Sequence, residues 1–232
     1  MSSTSKTKLI AVLDVDTREE ALRIVGKCGR CAWFKIGSQL FTRCGPEIVH
    51  SLRQMGKQVM LDLKFYDIPN TVAHAAKAAA ALDAGLFTLH ASGGRKMIRA
   101  AREAVEGSNT RILAVTILTS FNDAALREDL GLHETAAEAV PRLAQMAVEA
   151  GAHGIVCSPL EIEVVREAVG PEPLLVIPGI RPGWSSKDDQ ERIMTPAQAA
   201  RAGANMVVVG RPILNHEDPA QAVELILEEL NA

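Results

Sequence analysis

The chain of 232 residues is 47% hydrophobic and carries 25 basic against 28 acidic residues, a formal charge of −3. That length and apolar content suit one large core, and a barrel-type α/β domain commonly fills it. The charge balance excludes a global field that would draw in nucleic acid or an anionic membrane, so an anionic ligand needs locally placed cations.

The opening MSSTSKTK lacks the apolar stretch of a secretory signal, and no run approaches the roughly 18 apolar residues that cross a bilayer. The expectation is a soluble, cytoplasmic protein, with residues 1–8 as a flexible tail and 9–232 as a single barrel domain. Cys28, Cys31, Cys44 and Cys157 are too few and too unevenly spaced for a disulfide framework, and are read as free thiols of a reducing compartment.

Apolar, β-branched runs predict strands at 9–15 (LIAVLDV), 32–37 (AWFKIG), 58–64 (QVMLDLK) and 86–91 (LFTLHA). Four more follow at 111–118 (RILAVTIL), 154–159 (GIVCSP), 174–180 (LLVIPGI) and 206–211 (MVVVGR). Between them lie stretches such as REEALRIVGK, EIVHSLRQMG, KMIRAAREAVEG and AVPRLAQMAVEAG, whose apolar residues recur at helical spacing. The Ala-rich segment 73–84 is read as a further helix, with Asn70 or Thr71 as its cap. Gly85, Gly151 and Gly203 each follow an alanine just before a strand, where a left-handed glycine would end the helix. Eight strands alternating with helices predict a parallel sheet closed into a (β/α)8 TIM barrel. Two connections are long, 119–133 and 181–195, and the second reads as a lid or as an ordinary surface loop. Trp184 either packs on the barrel or marks the hinge of that loop, and the sequence does not decide between them.

Barrel enzymes gather their functional groups at the C-terminal ends of the strands. There stand Asp14, Lys35, Asp62, Lys64, His90, Thr119, Ser120, Ser158, Arg181 and Arg211. The two-residue period of a strand puts Asp62 and Lys64 on one face, with Leu61 and Leu63 on the other. Lys35 from the neighbouring strand and Asp67 just beyond would complete an alternating Lys-Asp-Lys-Asp array, with Lys64 as a proton donor. A solvated ion pair is the alternative for Asp62 and Lys64 taken alone. Gly210 permits close backbone approach and Arg211 offers a forked donor for phosphate; the alternative for Arg211 is a surface arginine beside Pro212.

Other signals carry less. Cys28-Gly-Arg-Cys31 has no second cysteine pair to complete a zinc site, and no H-E-x-x-H occurs, so no metal is expected. Gly93-Gly94 lacks the G-x-G-x-x-G pattern, so no nucleotide cofactor is expected either, and no basic stripe suggests nucleic acid. His90 is read as a supporting hydrogen-bond partner.

The segment LDLKFYDIPNT resembles the Asp-x-Lys-x-x-Asp-Ile-x-x-Thr signature of the orotidine 5′-phosphate decarboxylase family, bacterial type. It is accompanied in order by AVLD, FKIG, LHASGG, TILTS, PGIRP, DQERIMTP and VVGRP, so that the resemblance runs from Leu9 to Pro212. The resemblance implies cofactor-independent removal of CO2 from orotidine 5′-phosphate to give uridine 5′-phosphate, the last step of de novo pyrimidine nucleotide synthesis. It implies Lys64 as catalytic acid, with Lys35, Asp62 and Asp67 in the same charged network. Asp14 and Lys35 would touch the ribose, Thr119 and Ser120 the pyrimidine, and Arg181, Gln190, Gly210 and Arg211 the phosphate region. Asp67, Ile68 and Thr71 complete the implied binding set. The family's equivalents of Asp67 and Thr71 reach into a partner's site, which implies a homodimer with active sites at the interface.

Two other readings stay in play. A Mg-dependent keto-sugar-phosphate decarboxylase or aldolase of the same superfamily would share the Asp-x-Lys-x-x-Asp core but not the Ile68-x-x-Thr71 continuation. A non-catalytic phosphate-ligand-binding barrel would need Arg211 but not the intact Lys35, Asp62, Lys64, Asp67 set.

Overall fold

The computed structural model describes residues 7–185 and 193–231. Its strands are β1 (Lys8–Val12), β2 (Trp33–Gly37), β3 (Gln58–Phe65), β4 (Leu86–His90), β5 (Arg111–Val115), β6 (Gly154–Val156), β7 (Leu174–Ile177) and β8 (Met206–Val209). Each pairs in parallel with the next, and β8 returns to β1, so the sheet closes as a (β/α)8 barrel in sequence order. Helices return the chain between strands: α1 (Arg18–Lys27), α2 (Ser38–Cys44), α3 (Glu47–Gln54), α4 (Pro69–Ala81), α5 (Gly94–Ala104), α6 (Asp123–Glu128) and α7 (Ala136–Glu149). The remainder are α8 (Ile162–Val169), α9 (Pro196–Arg201), α10 (Arg211–Leu214) and α11 (Pro219–Glu229).

Strand alternation divides the apolar residues into two cores. Ile10, Val12, Met60, Leu113, Val156, Val176 and Val208 fill the barrel interior. Leu9, Ala11, Phe34, Ile36, Leu61, Phe87 and Val207 face the helices. Phe34 and Phe87 are fully buried there, and each such side chain contributes about 1.5–3 kcal/mol of burial. One strand thus needs apolar residues on both faces, which explains the near-continuous hydrophobic runs.

Several strand runs extend past the observed pairing. β5 stops at Val115, β6 at Val156 and β7 at Ile177, because residues beyond them, Ile117, Cys157 and Pro178, leave the ladder and line the barrel mouth; β8 stops at Val209, where Gly210 turns the chain into α10. The 119–133 connection contains α6, capped by Asn122 through its side-chain oxygen and the Ala125 N–H. α4 starts at Pro69 rather than at an Asn70 or Thr71 cap; the Pro69 nitrogen, which has no proton, occupies the first turn, where a donor would be unsatisfied.

Gly151 and Gly203 take the expected left-handed conformation, with φ of 105° and 100°. Gly85 does not. Asp83 assumes that role after α4, at φ 56°, and its Oδ2 accepts from Arg53 Nε at 2.9 Å. Gly85 instead makes room: a Cβ there would lie 2.8 Å from the Trp33 ring.

All four cysteines are free, with Cys28, Cys31 and Cys157 buried. Burial pushes the Cys28 thiol up to about 11, assisted by neighbouring Cys31 and opposed by Lys57. No helix among the described residues is long and apolar enough to cross a membrane.

Candidate active site

The alternation that fills the barrel interior continues into charge at its C-terminal end. On β3 the inward series Met60, Asp62, Lys64 passes from apolar to ionic, and Lys35 of β2 arrives beside it. Lys64 Nζ donates to both Asp62 carboxylate oxygens at 2.9 Å. Lys35 Nζ lies 3.4 Å from Asp62 Oδ2 and 3.2 Å from Asp14 Oδ1. Side-chain exposure rises outward, from 10% at Asp62 and 13% at Lys35 to 36% at Lys64 and 51% at Asp14. Asp62 is therefore the buried hub of the cluster. A solvated surface pair does not describe it.

The geometry depends on an irregularity in β3. Leu61 pairs with Phe87 and Phe65 with Leu89, so four steps along β3 answer to two along β4. Within that bulge Lys64 has φ 49°, a left-handed conformation that costs a residue with a Cβ roughly 1–2 kcal/mol. Its N–H donates at 2.9 Å to the Thr88 hydroxyl, which in turn donates to Asp62 Oδ1 at 2.9 Å.

Burial by itself would raise the Asp62 carboxyl. The charges of Lys35 and Lys64, with hydrogen bonds from Lys64 and Thr88, overcome that effect and hold it below its ordinary value. His90, at the end of β4, is held below the usual histidine value first by burial and then by Lys64, against the pull of Asp62. Its ring meets Tyr66 edge-on with centroids 5.6 Å apart.

Below this cluster is a cavity of ≈ 280 Å³. Met60, Val115, Val156 and Val208 give it apolar walls, while Lys35, Asp62 and Lys64 line one side. Thr119 and Ser120, just after β5, join its lining, with Ile117, Leu118 and Pro178.

Other sequence-selected residues occupy distinct places. Asp67 is exposed, and its Oδ1 accepts from the Ile68 N–H at 2.6 Å; it does not join the Lys35–Asp62–Lys64 cluster of its own chain. Ile68 and Thr71 are exposed beside it at the start of α4. Arg181 is buried at the base of the loop after β7, where its N–H donates to Met194 O and its Nη1 to Ile180 O. Gly210 links β8 to α10, which Arg211 begins, and the atoms nearest a Cβ at Gly210 would be those of Val12, from an ordinary 3.4 Å. Gln190 lies outside the described residues. Trp184 packs edge-on against His216, with centroids 5.4 Å apart, so it seats the start of the loop on the α10–α11 corner.

Two residues of the site escaped the sequence reading. Thr88 is in phase with inward-facing Leu86 and His90, a signal that the strand period carries. A Cβ at Gly37 would stand 2.9 Å from Lys35 Nζ and 3.2 Å from Asp14 Oδ1, so the glycine leaves room for that ion pair. Nothing in the string FKIG marks such a spatial need.

A closed (β/α)8 barrel with oriented lysines and a buried carboxylate over a cavity at the C-terminal mouth has the form of a barrel enzyme capable of proton transfer and charge stabilisation. Residues 7–226 match the model of the orotidine 5′-phosphate decarboxylase / HUMPS family. The chain is 48% identical over 226 residues to orotidine 5′-phosphate decarboxylase of Saccharophagus degradans, covering 96% of this chain and 94% of that protein. It is 53% identical over 192 residues to the protein of that name in Anaeromyxobacter dehalogenans, covering 83% and 84%. The crystal structure of orotidine 5′-phosphate decarboxylase from Lactobacillus acidophilus superimposes with a TM-score of 0.88 at 39% identity, over 97% of this chain and 100% of that one. The chain belongs to the orotidine 5′-phosphate decarboxylase / HUMPS family.

Proposed function

We propose that the protein converts orotidine 5′-phosphate to uridine 5′-phosphate and CO2 in pyrimidine biosynthesis. The observation that carries this reading is the Lys35–Asp62–Lys64 cluster at the edge of the cavity. Cleavage of the bond from C6 to the carboxylate leaves its electron pair on C6. The Lys64 ammonium stabilises that charge electrostatically and delivers its proton to C6; water then restores the proton to Lys64. Asp62 orients Lys64, and Lys35 with Asp14 meets the ribose. Thr119 and Ser120 face the pyrimidine.

Arg211, Gly210, Arg181 and Gln190 make up the phosphate region, in keeping with the habit of barrel enzymes of binding phosphate after strands seven and eight. The reaction uses no metal or organic cofactor. The enzyme works in the cytoplasm as a homodimer, with Asp67, Ile68 and Thr71 completing the neighbour's site. Exposure of Tyr66 and Ile68, at 63% and 65%, beside Asp67 supports that assembly, since paired copies would cover them.

Loss of pyrimidine absorbance on mixing the purified protein with orotidine 5′-phosphate tests the reading. Turnover unaffected by a chelator is the expected result. Activity abolished by the chelator would favour the Mg-dependent sugar-phosphate chemistry instead, and tight binding without turnover would favour a binding barrel.

A further inference from the structure

We infer that Thr88 of β4 is a positioning residue for catalysis: its hydroxyl sets the rotation of the Asp62 carboxylate and secures the backbone turn that presents Lys64. The inference rests on the decarboxylase reading above. Thr88 is fully buried and does not line the cavity, so it acts through its neighbours and not by touching substrate.

The bulge in β3 carries Lys64 out of regular pairing with β4. A backbone N–H removed from a sheet ladder and buried must find another acceptor. For Lys64 that acceptor is Thr88 Oγ1, at 2.9 Å. An amide can only donate, so the hydroxyl must accept there, which leaves its single proton for its other neighbour. That neighbour is Asp62 Oδ1, also at 2.9 Å. The amide of Lys64 thus fixes the direction of the Thr88 proton, and this direction favours an ionised Asp62.

The consequence reaches the lysine side chain. Asp62 Oδ1 accepts from Thr88 and Lys64, while Oδ2 faces Lys64 at 2.9 Å and Lys35 at 3.4 Å. Without the hydroxyl, nothing neutral pins Oδ1, and the carboxylate can turn towards either ammonium. A small rotation would misplace Lys64 Nζ relative to a reacting carbon, and displacements of this size are costly in catalysis. The groups facing Asp62 are Lys35 from β2, Lys64 from its own strand and His90 from β4, with Asp14 reached through Lys35.

Thr88→Val keeps the volume and removes the hydroxyl; Thr88→Ser keeps the hydroxyl. With orotidine 5′-phosphate, Thr88→Val should lower kcat by about tenfold to a hundredfold, as loss of a supporting hydrogen bond does around oriented ligands. Its KM should stay within about threefold. The acid limb of its kcat profile should move to higher pH, and Thr88→Ser should restore both properties. Carbon-13 NMR titration of the Asp62 carboxyl, assigned with Asp62→Asn, should show the same upward movement in Thr88→Val without relying on turnover. If Thr88→Val does not fold, Thr88→Cys, a weak donor of similar size, carries the same expectation.

A Thr88→Val enzyme with wild-type kcat and acid limb would overturn the inference. So would a Thr88→Ser enzyme as impaired as Thr88→Val. A wild-type protein inert towards orotidine 5′-phosphate would instead defeat the decarboxylase reading, and the NMR titration would still decide the role of Thr88.

Discussion

Lys64 Nζ stands 2.9 Å from each carboxylate oxygen of Asp62, two residues earlier on the same strand. In a regular strand, side chains two apart on one face project in parallel. Here the bulge and the left-handed Lys64 backbone turn the ammonium back on the carboxylate. The pair is held by local backbone geometry as well as by charge.

That origin separates catalysis from stability at position 64. Lys64→Ala and Lys64→Gly should both lose at least about a thousandfold in kcat, because each removes the proton donor and the charge facing C6. Glycine, which adopts φ 49° without a Cβ clash, should be more stable than alanine by about 1 kcal/mol. Denaturant unfolding of the two variants checks this order, and near-normal turnover by either would remove Lys64 from its proposed role.

Acidification should weaken the fold in two stages. His153 accepts the Ile112 N–H through Nδ1 at 2.9 Å, and burial, with Arg102 and Arg111 nearby, holds it below the ordinary 6.5. His90 is lowered in the same direction. A histidine depressed in the folded state binds its proton more readily when unfolded, so its contribution is complete above 6.5 and declines as pH falls below that value. Asp62 is also depressed, so its contribution is present above 3.8 and is lost as pH drops through its lower folded value. Urea midpoints across pH should show both declines. His153→Asn should flatten the first and leave the second; an unaltered first decline would exclude His153 as its source.

The division between what the sequence revealed and what it withheld follows physical lines. Period two was enough to align Asp62 with Lys64, and alternation of strands with helices was enough for the barrel. The bulge that left-hands Lys64 has no sequence mark, because it is imposed by pairing with β4. Gly85 illustrates the opposite error: its composition suggests a helix terminus, whereas its place opposite Trp33 makes it a packing gap. The extra length assigned to β5, β6 and β7 has one cause, since Ile117, Cys157 and Pro178 are cavity lining and not ladder. Asp67 was readable as part of a charged set, but which chain's set is a question of assembly.

Position 210 gives a clean test of the phosphate region. A Cβ there meets Val12 at an ordinary 3.4 Å, so Gly210→Ala should fold with stability within about 0.5 kcal/mol of wild type. It should nevertheless raise KM for orotidine 5′-phosphate if the backbone approaches phosphate closely. Arg211→Ala should lower kcat/KM by roughly a hundredfold for the phosphorylated substrate, and little for a phosphate-free analogue. Equal losses on both substrates would place Arg211 elsewhere in the function.

The position of Asp67 leads to a test of assembly. Its side chain is turned to the Ile68 N–H, away from the Lys35–Asp62–Lys64 cluster, on a surface where Tyr66 and Ile68 are exposed. If two copies exchange Asp67, Lys64→Ala and Asp67→Ala should each be inactive alone, yet recover activity when unfolded together and refolded. Random pairing makes half the dimers hybrid, and one of two sites in a hybrid receives both native residues, so about a quarter of wild-type activity should return. If Asp67 served its own barrel, each site in the hybrid would still lack one residue. Refolded mixtures with no recovery, despite mixed dimers in native mass spectrometry, would therefore refute the shared site without refuting the dimer.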